Sequence, residues 1–287
     1  MIKELRQQYP VLITSRLLDV SISGFYAWVD RPLSKRDREN LRLELEIKAA
    51  HQRTRETYCP ERLQHDLKEK GVQVSIYKVR SIRKKLGLRC LQKRKFKVTT
   101  CSGHDLPVAE NILNQNFAVY QPNKVWVSDI TYIRTDEGWL YLAAHQDLFN
   151  NEIVGYAMGE RLSRYLVSES LWKALGLRCP AEGLLQHSDR GSQYCAYEYR
   201  QILASRGILV SMSRRGNCYD NAPMESFWGI LKQELVYHRH FTTRQEAMRE
   251  IREYIEVFYN RQRIQAKLGY LSPVAYAKQF QAKLYVE

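Results

Sequence analysis

KVWVSDITYI, residues 124–133, alternates apolar and polar side chains, is rich in Val, Ile and Tyr, and reads as a β-strand. Two more strands follow, WLYLAAHQDLF at 139–149 and EIVGYAMG at 152–159, with Asp136-Glu137-Gly138 as the first turn. Beyond them helix and strand patterns take turns. SRYLVSESLWKAL (163–175) has helical spacing, LLQHSD (184–189) is a short buried strand, and YEYRQILASRG (197–207) is a helix. ILVSMS (208–213) is a fifth strand and PMESFWGILKQELV (223–236) a helix. A last amphipathic helix carries Met248, Ile251, Ile255 and Phe258 on one side. Three meandering strands followed by alternating helices and strands predict one mixed α/β sheet covered by helices.

Upstream the pattern is helical. ITSRLLDVSISGFYAWV suggests a helix ending at Leu17 and Leu18, a turn over Asp19 to Ser21, and a second helix beginning at Gly24 to Trp28. A cleaner pair follows. Pro60 suits a first helical position, Leu63 and Leu67 lie inside that helix, and Lys70-Gly71 ends it. Ser75 then caps a helix from Ile76 to Leu86, closed by Gly87. Ile76, Val79, Ile82 and Leu86 make its apolar stripe, while Lys78, Arg80, Arg83, Lys84 and Lys85 occupy the remaining surface. That layout suits a helix that packs by one face and meets phosphates with the other. The competing reading is a solvated basic helix in a small bundle.

Charge separates the two halves. Residues 1–110 hold 24 basic and 13 acidic side chains, a net of +11, and residues 111–287 hold 21 and 18, a net of +3. A cationic N-terminal region implies a polyanionic partner, most often nucleic acid, against the plainer alternative of a solubilising surface. The connector over 90–122 starts very basic, with Lys93, Arg94, Lys95 and Lys97. No apolar run approaches the roughly 18 residues a membrane span requires. The start of the chain lacks the layout of a secretory signal. Six scattered cysteines, Cys59, Cys90, Cys101, Cys179, Cys195 and Cys218, show no zinc spacing and read as reduced thiols of a cytosolic protein.

Three acids fall at telling places. Asp129 sits inside the first strand, where an unpaired charge is expensive. Asp189 ends a short strand before the turn Arg190-Gly191-Ser192, and Glu225 lies in the first turn of a helix introduced by Asn217, Asp220, Asn221 and Pro223. Such positions can converge at one end of a sheet. Carboxylate oxygens are the ligands Mg²⁺ prefers, and two such ions about 3.5–4 Å apart serve phosphodiester chemistry. Lys232, seven residues after Glu225, lies two turns along the same helix face, where a cation can hold a DNA phosphate. Each acid also has a plain structural reading: Asp129 as partner of an arginine, Asp189 as a turn residue, Glu225 as an answer to the helix dipole.

The three acids, with 59 and then 35 residues between them, resemble the DD(35)E pattern of retroviral integrases and bacterial insertion-sequence transposases. The surrounding words, VWVSDITYI, EGWLYLA, IVGYAM, HSDRGSQYC, SMSRRGNCYDNAPMESFWGILKQEL, YIEVFYNRQR and LGYLSPVAY, resemble the OrfB transposase of insertion-sequence family three. VSIYKVRSIRKKLGL is similar to that family's helix-turn-helix segment, and the likeness spans nearly the whole chain.

The resemblance implies an RNase H-like catalytic core over 121–281, a helical helix-turn-helix DNA-binding region over 1–98 and a basic, polar linker over 99–120. It matches Asp129, Asp189 and Glu225 to a triad holding two Mg²⁺ ions, with Mn²⁺ as substitute, and Lys232 to the lysine after the glutamate. It implies hydrolysis at an element end, then attack of the freed 3′-OH on a second phosphodiester. Implied partners are terminal inverted repeats, target DNA, an upstream OrfA protein joined by frameshifting, and further copies of the chain on DNA. The implied setting is the bacterial cytoplasm and nucleoid. Cys59 stands where that family usually has glycine, and Gln265 where histidine is common. A retroviral His-His-Cys-Cys zinc module is absent from the sequence.

Two other functions compete. A DNA-binding regulator derived from a transposase would bind an inverted-repeat end without nicking it. An RNase H-like nuclease would digest RNA–DNA hybrids without joining strands.

Overall fold

The computed structural model describes residues 2–91 and 108–284. The basic stretch 93–97, Cys101 and the first part of the expected linker lie outside the described residues.

The first helices are α1 (Ile2–Leu5), α2 (Val11–Leu17) and α3 (Ile22–Val29). Ser21 caps α3 by accepting from the Gly24 N–H at 3.1 Å, so the first expected helix-turn-helix forms around its turn. Next comes α4 (Lys35–Arg53), a 19-residue helix the periodicity does not forecast. Its sequence is polar nearly all round, and only Ile47, Ala50 and His51 are buried. The second pair is α5 (Pro60–Glu69) and α6 (Ile76–Lys85), with Pro60 at the first turn. Ser75 Oγ accepts from the Lys78 N–H at 3.3 Å, and Gly71 and Gly87 take the positive φ of +79° and +66° that end such helices.

The sheet runs β1 (Val125–Thr135), β2 (Gly138–Asp147), β3 (Ile153–Gly159), β4 (Leu185–Ser188) and β5 (Leu209–Met212), in spatial order β3-β2-β1-β4-β5. β1, β2 and β3 pair antiparallel, while β4 and β5 add in parallel, as crossover helices require. Between them lie α7 (Arg164–Arg178), α8 (Ser192–Cys195) and α9 (Tyr197–Ser205). The chain continues through α10 (Ala222–Glu234), α11 (Arg244–Glu253), a π-helical stretch (Tyr254–Gln262) and α12 (Pro273–Leu284).

Central strand β1 is apolar on both faces. Trp126 packs with Leu171, Leu175, Tyr199 and Leu203 on the α7–α9 side, and Val127 packs with Phe227, Leu231 and Ile255 on the other. The second core also takes in Ile47, Tyr58, Leu63 and Val79, so α4–α6 share apolar packing with the C-terminal helices. Polar ties reinforce that junction. The Ile264 N–H donates to Tyr58 Oη at 2.8 Å, and His65 stacks on Tyr270 at 3.7 Å.

The expected last helix changes pitch: the α-helical turns stop at Glu253 and wider π turns bury Tyr254, Ile255, Phe258, Tyr259 and Asn260. The widened winding presents Asn260 to the edge strand. Its side chain accepts from the Ile153 N–H and donates to the Ile153 carbonyl, both at 3.0 Å, in the manner of a neighbouring strand. A buried ion pair ties the end of α10 to this stretch. Arg263, 4% exposed in its side chain, donates to Glu234 through Nε and Nη2 at 2.9 Å, and Tyr254 Oη donates to the same carboxylate at 2.7 Å.

On the opposite face His145 is fully buried, bonded to Ser170 Oγ at 3.0 Å and Gln186 Oε1 at 3.3 Å. Burial pushes its imidazole down to about 4.

Candidate active site

β1 and β4 run side by side in parallel, with Ser128 opposite Ser188 as the last pair. One residue further, Asp129 within β1 stands beside Asp189 just past the end of β4, where neighbouring strands are about 4.8 Å apart. Asp129 faces α10. Its Oδ1 accepts from the Ile130 N–H at 2.8 Å and its Oδ2 from the Trp228 indole N–H at 3.0 Å. Asp189 Oδ1 accepts from the Gly191 N–H at 2.9 Å, which fixes the turn after β4.

Read as a helix, α10 shows one stripe to β1. Its N-cap Asn221, then Glu225, Trp228 and Lys232, recur at spacings of four, three and four, which keeps them on one side. Asn221 Nδ2 donates to the Ser128 carbonyl at 3.0 Å, Trp228 reaches Asp129, and Lys232 Nζ lies 5.4 Å from the centroid of the Tyr132 ring. Glu225 stands at the rim, open to solvent.

The electrostatics match that geometry. Burial, then the Asp189 and Glu225 carboxylates, raise the Asp129 carboxyl well above the usual range, against the pull of its two hydrogen bonds. Glu225, although exposed at the rim, is raised more weakly by its partial burial. Burial lowers the Lys232 ammonium, while the Asp129 charge works the other way.

The loop between β5 and α10 is fixed by Asp220, which is fully buried and receives five donors. Arg214 supplies three, from its backbone N–H at 2.8 Å, Nε at 3.0 Å and Nη2 at 2.8 Å. Asn111 Nδ2 at 2.9 Å and Gln115 Nε2 at 2.8 Å supply the others. The Arg214 guanidinium holds the Asp220 carboxyl far below the usual carboxylate range.

These residues fit a hard divalent cation in donor chemistry. A raised, crowded carboxylate among two others is what a nearby cation relieves, and all the oxygens are of the type Mg²⁺ and Mn²⁺ take. The structure does not draw the acids into a closed cage: among the described residues no three His, Cys, Asp or Glu side chains form a ready metal cluster. The reason is visible at Asp129 and Asp189, whose oxygens are turned to the indole and to backbone N–H groups.

The cations expected to face phosphates divide. Lys84 is exposed and Lys78 half-buried. Arg80 donates to Glu61 of α5 at 2.6 Å and Lys85 to Glu44 of α4 at 2.5 Å. Arg83 departs from its expected surface position: it is 6% exposed, donating to Cys90 Sγ at 3.2 Å, because its side of α6 faces α4 rather than solvent. Cys59 has φ −66°, an ordinary angle, so glycine is not demanded there. Gln265 Oε1 accepts from Asn151 Nδ2 at 3.1 Å. Trp228 and Asn221 carry no charge and gave no functional signal, although their spacing from Glu225 and Lys232 puts them on the same stripe.

Comparison with known proteins agrees with this architecture. Residues 119–218 and 225–280 each match a model described as an integrase core domain, and residues 35–96 match an HTH-like domain. The chain is 55% identical over 265 residues to the insertion element IS600 uncharacterized 31 kDa protein of Shigella sonnei, covering 92% of this chain and 97% of that one. It is 36% identical over 280 residues to transposase InsF for insertion sequence IS3fB of Escherichia coli (strain K12), covering 97% of both. Among solved structures, the HTLV-2 integrase catalytic core domain in complex with magnesium aligns with a TM-score of 0.43 at 15% identity, over 53% of this chain and 95% of that one.

Proposed function

Because the chain belongs to the transposases of insertion-sequence family three, a DDE family with an integrase core, we propose that Asp129, Asp189 and Glu225 are the groups through which it cleaves and joins DNA. The observation that carries this reading is geometric: Asp129 and Asp189 follow the last paired residues of neighbouring strands β1 and β4, and Asp129 bonds to Trp228 on the α10 stripe that also holds Glu225. The three carboxylates would hold two Mg²⁺ ions, or Mn²⁺ in their place. When bound, these activate an attacking oxygen and stabilise a leaving one.

Two phosphoryl transfers follow in turn. Water adds to the phosphorus at the element end, the bond to the 3′ oxygen breaks, and that oxygen leaves as a 3′-OH. The 3′-OH then adds to a target phosphodiester, loses its proton, and releases another 3′ oxygen as its P–O bond breaks. No protein side chain becomes attached to DNA. Lys232, beside Asp129 and above Tyr132, holds a phosphate of the bound strand.

In this reading residues 1–98 dock on the terminal inverted repeats, with Lys78, Arg80, Lys84 and Lys85 supplying charge. Residues 99–120 link them to the core, and residues 121–281 do the chemistry. An upstream OrfA protein fused by frameshifting, and further copies of the chain, complete the complex on DNA in the bacterial cytoplasm. Among the described residues no helix is long and apolar enough to cross a membrane.

The test uses a labelled inverted-repeat end with Mg²⁺. Asp129→Asn, Asp189→Asn and Glu225→Gln are each expected to abolish nicking and joining while DNA binding survives. Full joining by any of the three overturns the assignment.

A further inference from the structure

The helix that carries Glu225 must be held against the strand that carries Asp129, and apolar packing alone permits sliding along β1. At the point where β4 ends, the Asn221 side chain donates to the Ser128 carbonyl at 3.0 Å. Ser128 directly precedes Asp129, and Asn221 lies one helical turn before Glu225. Asn221 is 4% exposed, so water does not compete for this bond. Its other polar atom, Oδ1, is buried without a hydrogen-bond partner among the described residues, although a buried amide oxygen ordinarily finds a donor. The neighbouring Asp220 is locked by five donors, so the loop cannot carry Asn221 away from the strand.

We propose that Asn221 is a positioning residue of the active site: its amide N–H fixes the start of the Glu225 helix to the backbone beside Asp129. The inference rests on the triad reading above. It adds a neutral side chain that sets the Asp129–Glu225 separation without donating a carboxylate. Outer-shell groups of this kind are worth about 10–100-fold in metal affinity or activity.

The experiment titrates Mn²⁺ into the full chain without DNA, by calorimetry, and separately measures DNA affinity, joining rate at saturating DNA, and thermal melting. Asn221→Ala removes the amide. Asn221→Leu keeps its shape and its neutrality, so no cavity and no buried charge arise, but withdraws the donor. Both variants are expected to bind Mn²⁺ about 10-fold or more weakly and to join strands at least about 10-fold more slowly, with DNA affinity and melting close to wild type. Equal Mn²⁺ affinity in wild type and both variants overturns the proposal. So does loss of the fold in both, which would make the contact one of general stability. If wild type itself binds no Mn²⁺, or binds it equally well as Asp129→Asn, the triad reading fails instead.

Discussion

Glu234→Gln is the sharpest probe of how α10 is anchored. The substitution keeps the length of the side chain and withdraws its charge. In the native chain the carboxylate receives Nε and Nη2 of Arg263, both at 2.9 Å, and the Tyr254 hydroxyl at 2.7 Å. Arg263 and Glu234 expose only 4% and 9% of their side chains, so after substitution water cannot solvate the stranded guanidinium. Breaking a buried pair from one side costs about 3–5 kcal/mol. Removing both charges together, as in Glu234→Leu with Arg263→Met, strands no ion. It should leave a deficit of about 1–2 kcal/mol from the Tyr254 hydroxyl losing its acceptor. Urea unfolding of wild type, Glu234→Leu, Arg263→Met and their double variant measures the coupling directly, with Glu234→Gln run alongside. A Glu234→Gln loss below about 1 kcal/mol, or a double variant as unstable as the two singles summed, would refute the reasoning.

Other outcomes follow from single contacts. Gly155→Ala places a Cβ 2.6 Å from the Ser170 carbonyl oxygen and the Ala174 N of α7, so overpacking should cost about 1–3 kcal/mol in thermal unfolding. Lys232→Ala should weaken joining at low salt more than it weakens Mn²⁺ binding; equal performance at low and high salt removes its phosphate role. His145 is buried neutral with its folded value near 4, so above pH 6.5 it costs nothing. As pH falls from 6.5 to 4 the unfolded chain takes the proton first, and stability declines by about 3 kcal/mol before levelling off. His187, also pushed down to about 4 by burial, contributes a decline over the same range, so His145→Gln should make that part of the unfolding-versus-pH curve shallower, and parallel curves for variant and wild type would exclude His145.

Much of this was legible in the residues. Partial alternation and the Val, Ile and Tyr content of KVWVSDITYI mark β1, and Ser75 with Gly87 brackets α6, because caps and strand patterns are local signals. The acids stand out because a carboxylate in a strand is costly. The helix α4 hid because its polar sequence buries only three residues, and Pro273, read only as part of a family word, turned out to open α12. Arg83 misled for a related reason: a long cation can turn inward when its flanking positions pack, and one helix's sequence does not say which neighbour lies against it. Trp228 and Asn221 act across about a hundred residues of chain, on Asp129 and Ser128, and no local pattern records such pairings.

The Asp220 carboxylate joins two stretches that the sequence keeps far apart. Asn111 and Gln115 belong to the segment that follows the N-terminal helices in the chain, and Arg214 belongs to the loop that leads into the Glu225 helix. A single buried anion is thus a knot between the tether and the blade. Withdrawal of that one charge would loosen both stretches together, because all five donors converge on it.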